Sequence, residues 1–519
     1  MSSSDTTMLR PGMSSNFGQV HLDGFAGGLN VRDAPSQVAA NESPNLWNVT
    51  LDERGGVVKR LGMSKWNSSA VTNLITFGYS SQVAGKLLWY SKADGKLYSD
   101  PATGVLTLRR TWTSGYNIQI VDFAGAVYAQ HPIDGLYSST DGVTWTIVVA
   151  ASGTVPVGSL LCVWQNKLWS AGAPANPLRL TWCGPGDATR WATADGGGTN
   201  DVREKDDTAI VALLGGSGFD FQTDPSLLVF KNRSFYRVTD STTGSYVTID
   251  AAAGCAGPDC LATYLGRVYF LSTAGVYMTT GMSEAVPISS KLQPLFSPAA
   301  LDYTKAANFC AGAQGDRIVF SVTRQGSSVN DLKLELVVPF LAFTAGSDAM
   351  GCYVTYRTSA ETLIGASPSV AGQLYTVGAT GADDGTAITS WFETHSFEPT
   401  GGNQARVQSV GVIGRGEFTL TTMPDYTITG GVAATISITN SGFVWGVGLW
   451  GTGVWGGQYS EGYAPTQPRS VGRTFRIRVD ETSSLTATAP PQLDDGPSIT
   501  VGGWALYRLD LKYAPLGIG

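Results

Sequence analysis

A short phrase returns along this chain: a turn, an apolar–aromatic strand, a second turn and another aromatic strand. It reads Gly85-Lys86-Leu87-Leu88-Trp89-Tyr90, then Asp94-Gly95-Lys96-Leu97-Tyr98-Ser99. It returns as Gly125-Ala126-Val127-Tyr128 with Asp134-Gly135-Leu136-Tyr137, and as Asn166-Lys167-Leu168-Trp169. Further copies are Asn232-Arg233-Ser234-Phe235-Tyr236 and Gly266-Arg267-Val268-Tyr269-Phe270 with Ala274-Gly275-Val276-Tyr277. Weaker ones begin at Gly315 and Gly372. Spacings of about 35 to 65 residues are near or above the period of a four-stranded propeller blade. A unit that cannot bury its own apolar face must stack on its neighbours, so the repeat predicts a β-propeller of about five to seven blades. The turns at Gly85, Gly125, Asn232 and Gly266 are expected at equivalent blade positions.

Apolar residues elsewhere alternate, as in Thr474-Phe475-Arg476-Ile477-Arg478-Val479 and Trp504-Ala505-Leu506-Tyr507-Arg508-Leu509-Asp510-Leu511. Period two means half-buried strands, and helical periodicity is almost lacking. Asp-Gly pairs at Asp94, Asp134, Asp141 and Asp384 supply the positive φ of tight hairpins. The chain reads as all-β, a propeller with an additional β-sandwich-like platform domain. Residues 1–70 lack the repeat and form an N-terminal arm whose strands join the platform. Residues 71–390 carry the propeller, and residues 391–519 form the C-terminal platform.

A chain of 519 residues exceeds one core and implies several domains. Only 14% of it is charged, against roughly 25% in ordinary soluble domains, so its surface is either covered by partners or rich in uncharged Thr, Ser and Gly. The net charge of −7 argues against a sequence-reading nucleic-acid binder, which needs a basic footprint. It permits DNA to slide past a wall that repels phosphate. Residues 1–16 are polar and do not read as a secretory signal. The longest apolar run, Leu336 to Phe343, has a central proline and is too short to span a bilayer as a helix. The expectation is a soluble chain made in the cytoplasm. The six cysteines and three histidines match no zinc spacing, and the cysteines read as buried, reduced thiols. No cofactor or metal is expected.

Ser139-Thr140-Asp141-Gly142-Val143-Thr144-Trp145 resembles an Asp-box hairpin, whose role is structural. No nucleophile elbow, Walker loop or His-Glu-x-x-His motif accompanies it, and no catalytic residue is assigned. Gly411 to Gly416 reads as a turn between strands, and Asp201 to Asp207 as a solvated charged loop. Between Phe443 and Gly457, glycines alternate with Trp445, Trp450 and Trp455. Such a loop either buries its indoles in its own core or presents them to a neighbouring subunit, where tryptophan anchors are enriched. Arg469, Arg473, Arg476 and Arg478 crowd one strand region, to pair with acids of another chain or to line a solvated face. Trp445, Trp450, Trp455, Arg473 and Arg476 are the candidates for subunit contact.

Three phrases carry a family resemblance. The first is Phe25-Ala26-Gly27-Gly28-Leu29-Asn30, with Asn41-Glu42-Ser43-Pro44-Asn45-Leu46-Trp47-Asn48-Val49 and Asp52 to Gly62. The second is Asp207 to Leu213 with Leu227 to Val238. The third is Trp391-Phe392-Glu393-Thr394 with Phe397 and Arg406 to Val412. Their content and order resemble tailed-bacteriophage tail nozzle and DNA-stabilisation (tail hub) propeller proteins. The resemblance implies a virion structural protein and no enzyme: a homo-hexameric ring that extends the DNA channel, retains packaged DNA and connects tail parts. Implied partners are the tail adaptor or portal-proximal proteins, tail fibres or spikes, and double-stranded DNA passing without sequence-specific binding. The alternative is a propeller that binds a host-surface glycan at the tail tip.

Overall fold

A computed structural model describes residues 18–68, 71–203, 206–215, 226–357, 361–425, 431–438, 462–466, 470–481 and 504–516. Seven four-stranded antiparallel sheets follow one another, spanning 77–111, 119–147, 160–201, 212–250, 261–287, 310–346 and 352–380. The seventh takes its outer strand, Gly62–Lys65, from the N-terminal region. The first strand of the seventh sheet, Cys352–Arg357, lies beside that of the first, Phe77–Ser81, and the ring closes. Among the described residues the chain forms an all-β propeller of seven blades, with a separate β platform.

The aromatic positions of the repeat explain the stacking. Trp89 and Leu87 of blade 1 pack with Val354 and Ile364 of blade 7. Trp169 and Trp182, ring centroids 4.7 Å apart, fill the gap between blades 3 and 4 with Leu227, Val229 and Tyr236. Trp89, Trp169, Trp182 and Tyr236 are each 0–1% exposed, so these blades bury faces they cannot bury alone.

Gly411 to Gly416, expected as a turn, lies inside the continuous strand Ala405–Pro424. Two further expectations need correcting. The turns at Gly85, Gly125 and Gly266 do join first and second blade strands, but the turn at Asn232 joins the second and third strands of blade 4, Leu227–Phe230 and Phe235–Val238. The phrase is a hairpin signal, and any hairpin of a blade presents the same apolar pattern to its neighbours. The second concerns the arm. Gly62–Lys65, expected within it, belongs to the propeller. A ring cut open within a blade must borrow a strand from the other chain end, which local pattern does not reveal.

Among the described residues the platform is one eleven-stranded sheet folded around a shared strand, Ala405–Pro424. Its first half pairs with Ala505–Pro515 on one side and with Gly462–Thr466 and Val471–Gly472 on the other. Its second half pairs with Val432–Ile438 and with Phe475–Asp480. Val410, Val412, Leu509 and Leu511 face Phe418, Leu420, Ile477 and Val479 in a common sandwich-like core. N-terminal strands extend both halves: Gly18–Asp23 and Val57–Lys59 pair with Ala505–Pro515, and Leu46–Trp47 pairs with Trp391–Glu393. The same core continues into blades 4 to 6 through Phe25, Leu29, Ala342 and Phe343.

Candidate functional site

The N-terminal phrase is a clip between platform and propeller. Gly28 has φ +68°, and a Cβ there would lie 2.6 Å from the Phe343 carbonyl oxygen of blade 6, so only glycine allows this approach. Asn30 donates to Glu42 at 2.5 Å, and Glu42 also meets Lys291, beyond blade 5, at 2.5 Å. Burial opposes ionisation of Glu42, yet Asn30 and Lys291 outweigh it and hold its pKa below the ordinary value. Asn48 donates its backbone N–H to Ala345 at 2.8 Å and its side-chain N–H to Thr389 at 2.8 Å. Its side-chain oxygen accepts from the Ser347 N–H at 2.9 Å.

The same clip grips the third family phrase. Ser43 donates to the Glu393 carbonyl at 2.7 Å, Asn45 donates to the Glu393 carboxylate at 2.9 Å, and Trp391 Nε1 donates to Asn45 at 3.0 Å. Trp47 stacks on Trp391 with centroids 6.0 Å apart. Arg476 and Arg478 reach Glu393 at 3.2 Å each. Two phrases almost 350 residues apart in sequence thus form one contact.

Beside the clip, charges line a seam between blades 6 and 7 and the platform. Strand Leu332–Val337 alternates Leu and charge, which puts Lys333 and Glu335 on one face. Glu335 accepts from Arg317 at 2.7 Å, from Thr50 of the platform at 2.5 Å and from Lys333 at 3.1 Å. Arg317 also donates to Thr50 Oγ1, and to the Leu51 carbonyl at 2.8 Å. Lys333 meets Asp348 at 2.7 Å, and Asp348 lies 3.2 Å from Arg60. Arg60 makes a two-pronged bond to Asp383 at 2.6 and 2.9 Å. Burial pushes the Glu335 carboxyl up, but Lys333 and Arg317 outweigh it and bring its pKa down to about 2. Next to this row opens a cleft of about 600 Å³, bounded by Arg54 and Tyr507 on the platform side and by Gln314, Leu363 and Val377 on the propeller side.

This arrangement fixes an orientation. Its acids and bases are spent on one another, and among the described residues no cluster of His, Cys, Asp or Glu is fit to hold a metal ion. All six cysteines are buried and free. No described helix is long and apolar enough to cross a membrane.

Of the residues singled out for subunit contact, Trp445, Trp450 and Trp455 lie outside the described residues. Arg473 is exposed, and its backbone N–H is held by Asp425 at 2.6 Å. Arg476 is turned inward to Glu393 and is only 11% exposed, so its charge serves the chain's own clip. The Asp-box is a turn between the third and fourth strands of blade 2. Asp141 accepts from Ser139, Val143 and Thr144 at 2.8–2.9 Å, and these backbone bonds, with the Ser139 hydroxyl, draw its pKa down to about 2. The seam residues Arg60, Arg317, Lys333, Glu335 and Asp348 had only one sequence signal, the alternation within Leu332–Val337, and that reads equally as a solvated face.

No family model and no curated protein matches the sequence. Among solved structures, a streptogramin B lyase is similar, with TM-score 0.43 and 11% identity over 61% of this chain and 97% of that one. A computationally designed protein, Ika8, gives TM-score 0.37 and 11% identity over 61% and 100% of the two chains. A catalytically inactive virginiamycin B lyase from Staphylococcus aureus with quinupristin gives 0.34 and 13% over 59% and 96%. These are likenesses of fold and carry nothing about activity.

Proposed function

We propose that this chain is a structural subunit of a bacteriophage tail, of the nozzle or hub kind. It assembles as a homo-hexameric ring that extends the DNA channel, retains packaged DNA and connects neighbouring tail parts. One observation carries the reading: the N-terminal and Trp391 phrases, which resemble that family, meet through Ser43, Asn45, Trp47 and Glu393 in a single clip. A clip joining a propeller to a platform suits a rigid part that works through its surfaces. In this reading the chain is no enzyme, its working place is the virion tail, and DNA passes without being read. Heterologous contacts that close by rotation give each copy two different patches, and the platform supplies the larger share.

The test is imaging of the intact particle with the protein located by a tag or antibody. A ring of copies on the tail axis is expected. Absence from the particle, a single copy, or a trimeric fibre would overturn the proposal.

A further inference from the structure

Residues 57–66 belong to two sheets at once. Val57–Lys59 pairs with Val49–Leu51 and with Ala505–Pro515 of the platform. After only Arg60 and Leu61, Gly62–Lys65 pairs with Leu374–Thr380 as the outer strand of blade 7. Trp66 then donates its backbone N–H to Leu374 at 2.9 Å and its indole N–H to Asp100 of blade 1 at 2.7 Å. The link between the sheets is short and anchored at its platform end. Lys59 and Arg60 donate their backbone N–H groups to Trp504 and Asn48, both at 3.1 Å. The Arg60 side chain, 3% exposed, holds Asp383 after blade 7, Asp348 before it and Asn48 of the clip. On its open side, residues 58–61 border the cleft of about 600 Å³, so the segment has room to shift in one direction.

We infer that residues 57–66 act as a strap that couples the platform sheet to closure of the propeller ring. Loosening the strap at the platform end releases the last blade, and loosening that blade releases the platform strand. Two strands joined by two residues, with the Arg60 side chain tied to both neighbouring units, open as one unit, whereas a flexible linker would let each open alone. The coupling is reciprocal, as any equilibrium linkage must be. It holds for this chain whether or not it is a tail protein.

Hydrogen exchange of the full chain, read by mass spectrometry, tests the strap. Val58→Ala removes buried methyl groups opposite Ala505. It is expected to speed exchange at Gly62–Lys65 and Leu374–Thr380 by about tenfold, while blades 2 to 4 keep their protection. Val377→Ala, on the blade side, is expected to speed exchange at Val57–Lys59 in the same proportion. An effect confined to the substituted sheet, or an equal effect on all blades, would overturn the inference. The unsubstituted chain gives a second reading that needs no variant to fold. Val57–Lys59 and Gly62–Lys65 are expected to report opening constants within about threefold of each other; a gap of tenfold or more would sink the strap. Linking Ser64→Cys to Thr376→Cys, which face each other in register, is expected to abolish the response of Gly62–Lys65 to Val58→Ala. A persisting response would also overturn it.

Discussion

Glu335 in the seam and Glu481 inside the platform are both almost dry, with side chains 8% and 2% exposed, yet their surroundings act on them in opposite directions. Burial disfavours the charged form of each. Glu335 faces Lys333 and Arg317 and accepts from Thr50, and its pKa falls from an ordinary 4.5 to about 2. Glu481 has Lys59 and a 3.3 Å bond from Ser390, and its pKa stays above the ordinary value. Glu335 has two cations and the Thr50 hydroxyl to offset its desolvation, whereas Glu481 has one cation and one long hydroxyl bond, which do not offset its own. The seam therefore favours the ionised form of Glu335, while the Lys59–Glu481 pair leaves its carboxyl harder to ionise than in water.

The largest effect should come from breaking the better-paired site. Glu335→Gln is expected to lower stability to urea by about 3–5 kcal/mol at neutral pH, because Arg317 and Lys333 lose their buried counter-charge. Since the folded pKa of Glu335 is depressed, its contribution is present above the ordinary carboxyl value and is lost as pH falls towards about 2. The gap between variant and parent should narrow over that window; a constant gap would mean packing, and not charge, is at work.

The pair inside the platform should behave differently. Lys59→Met alone is expected to cost about 3 kcal/mol, since it strands Glu481. Combining Lys59→Met with Glu481→Leu is expected to return the protein to within about 1 kcal/mol of the parent. A double variant as weak as the single one would put this pair in the same class as the seam.

Asp259, just before the first strand of blade 5, extends the comparison to a carboxyl on which burial acts alone, raising its pKa to about 7. A raised folded pKa means stability is full below the unfolded value and is lost as pH rises through about 7. Asp259→Asn should leave stability unchanged near pH 4 and raise it above pH 7 by on the order of 2 kcal/mol. Equal stability at both ends of a thermal pH series would remove Asp259 from the comparison.

The smallest expected effect concerns a carboxylate held by N–H groups and not by cations. Asp100 accepts from Trp66 Nε1 at 2.7 Å and from the Thr103 and Gly104 N–H groups at 2.8 and 3.0 Å. Asp100→Ala is expected to cost about 1–2 kcal/mol, mostly by loosening the closure between blades 7 and 1. Hydrogen exchange localised to Gly62–Lys65 and Thr103–Gly104 would confirm that, and a uniform change would refute it.

Local chemistry explains how much could be read beforehand. The hairpin around Asp141 was legible because its turn bonds span only a few residues, from Ser139 to Thr144. The repeat was legible because every blade solves the same packing problem with the same residue types. The pairing of Arg476 with Glu393 was not legible, because the two lie 83 residues apart and nothing local marks the pairing. The Asn232 turn misled for another reason, since one pattern serves either hairpin of a blade.

By itself, then, the sequence determined the strand period, the hairpin turns and the aromatic layers, because these follow from neighbours along the chain. Blade number, the borrowed strand Gly62–Lys65, the clip on Glu393 and the charged seam were decided only by tertiary structure. Ring closure depends on groups hundreds of residues apart, and the charge pairs join separate strands that no local pattern brings together. Whether a buried carboxyl is held in its ionised form depends on which partners the fold brings to it.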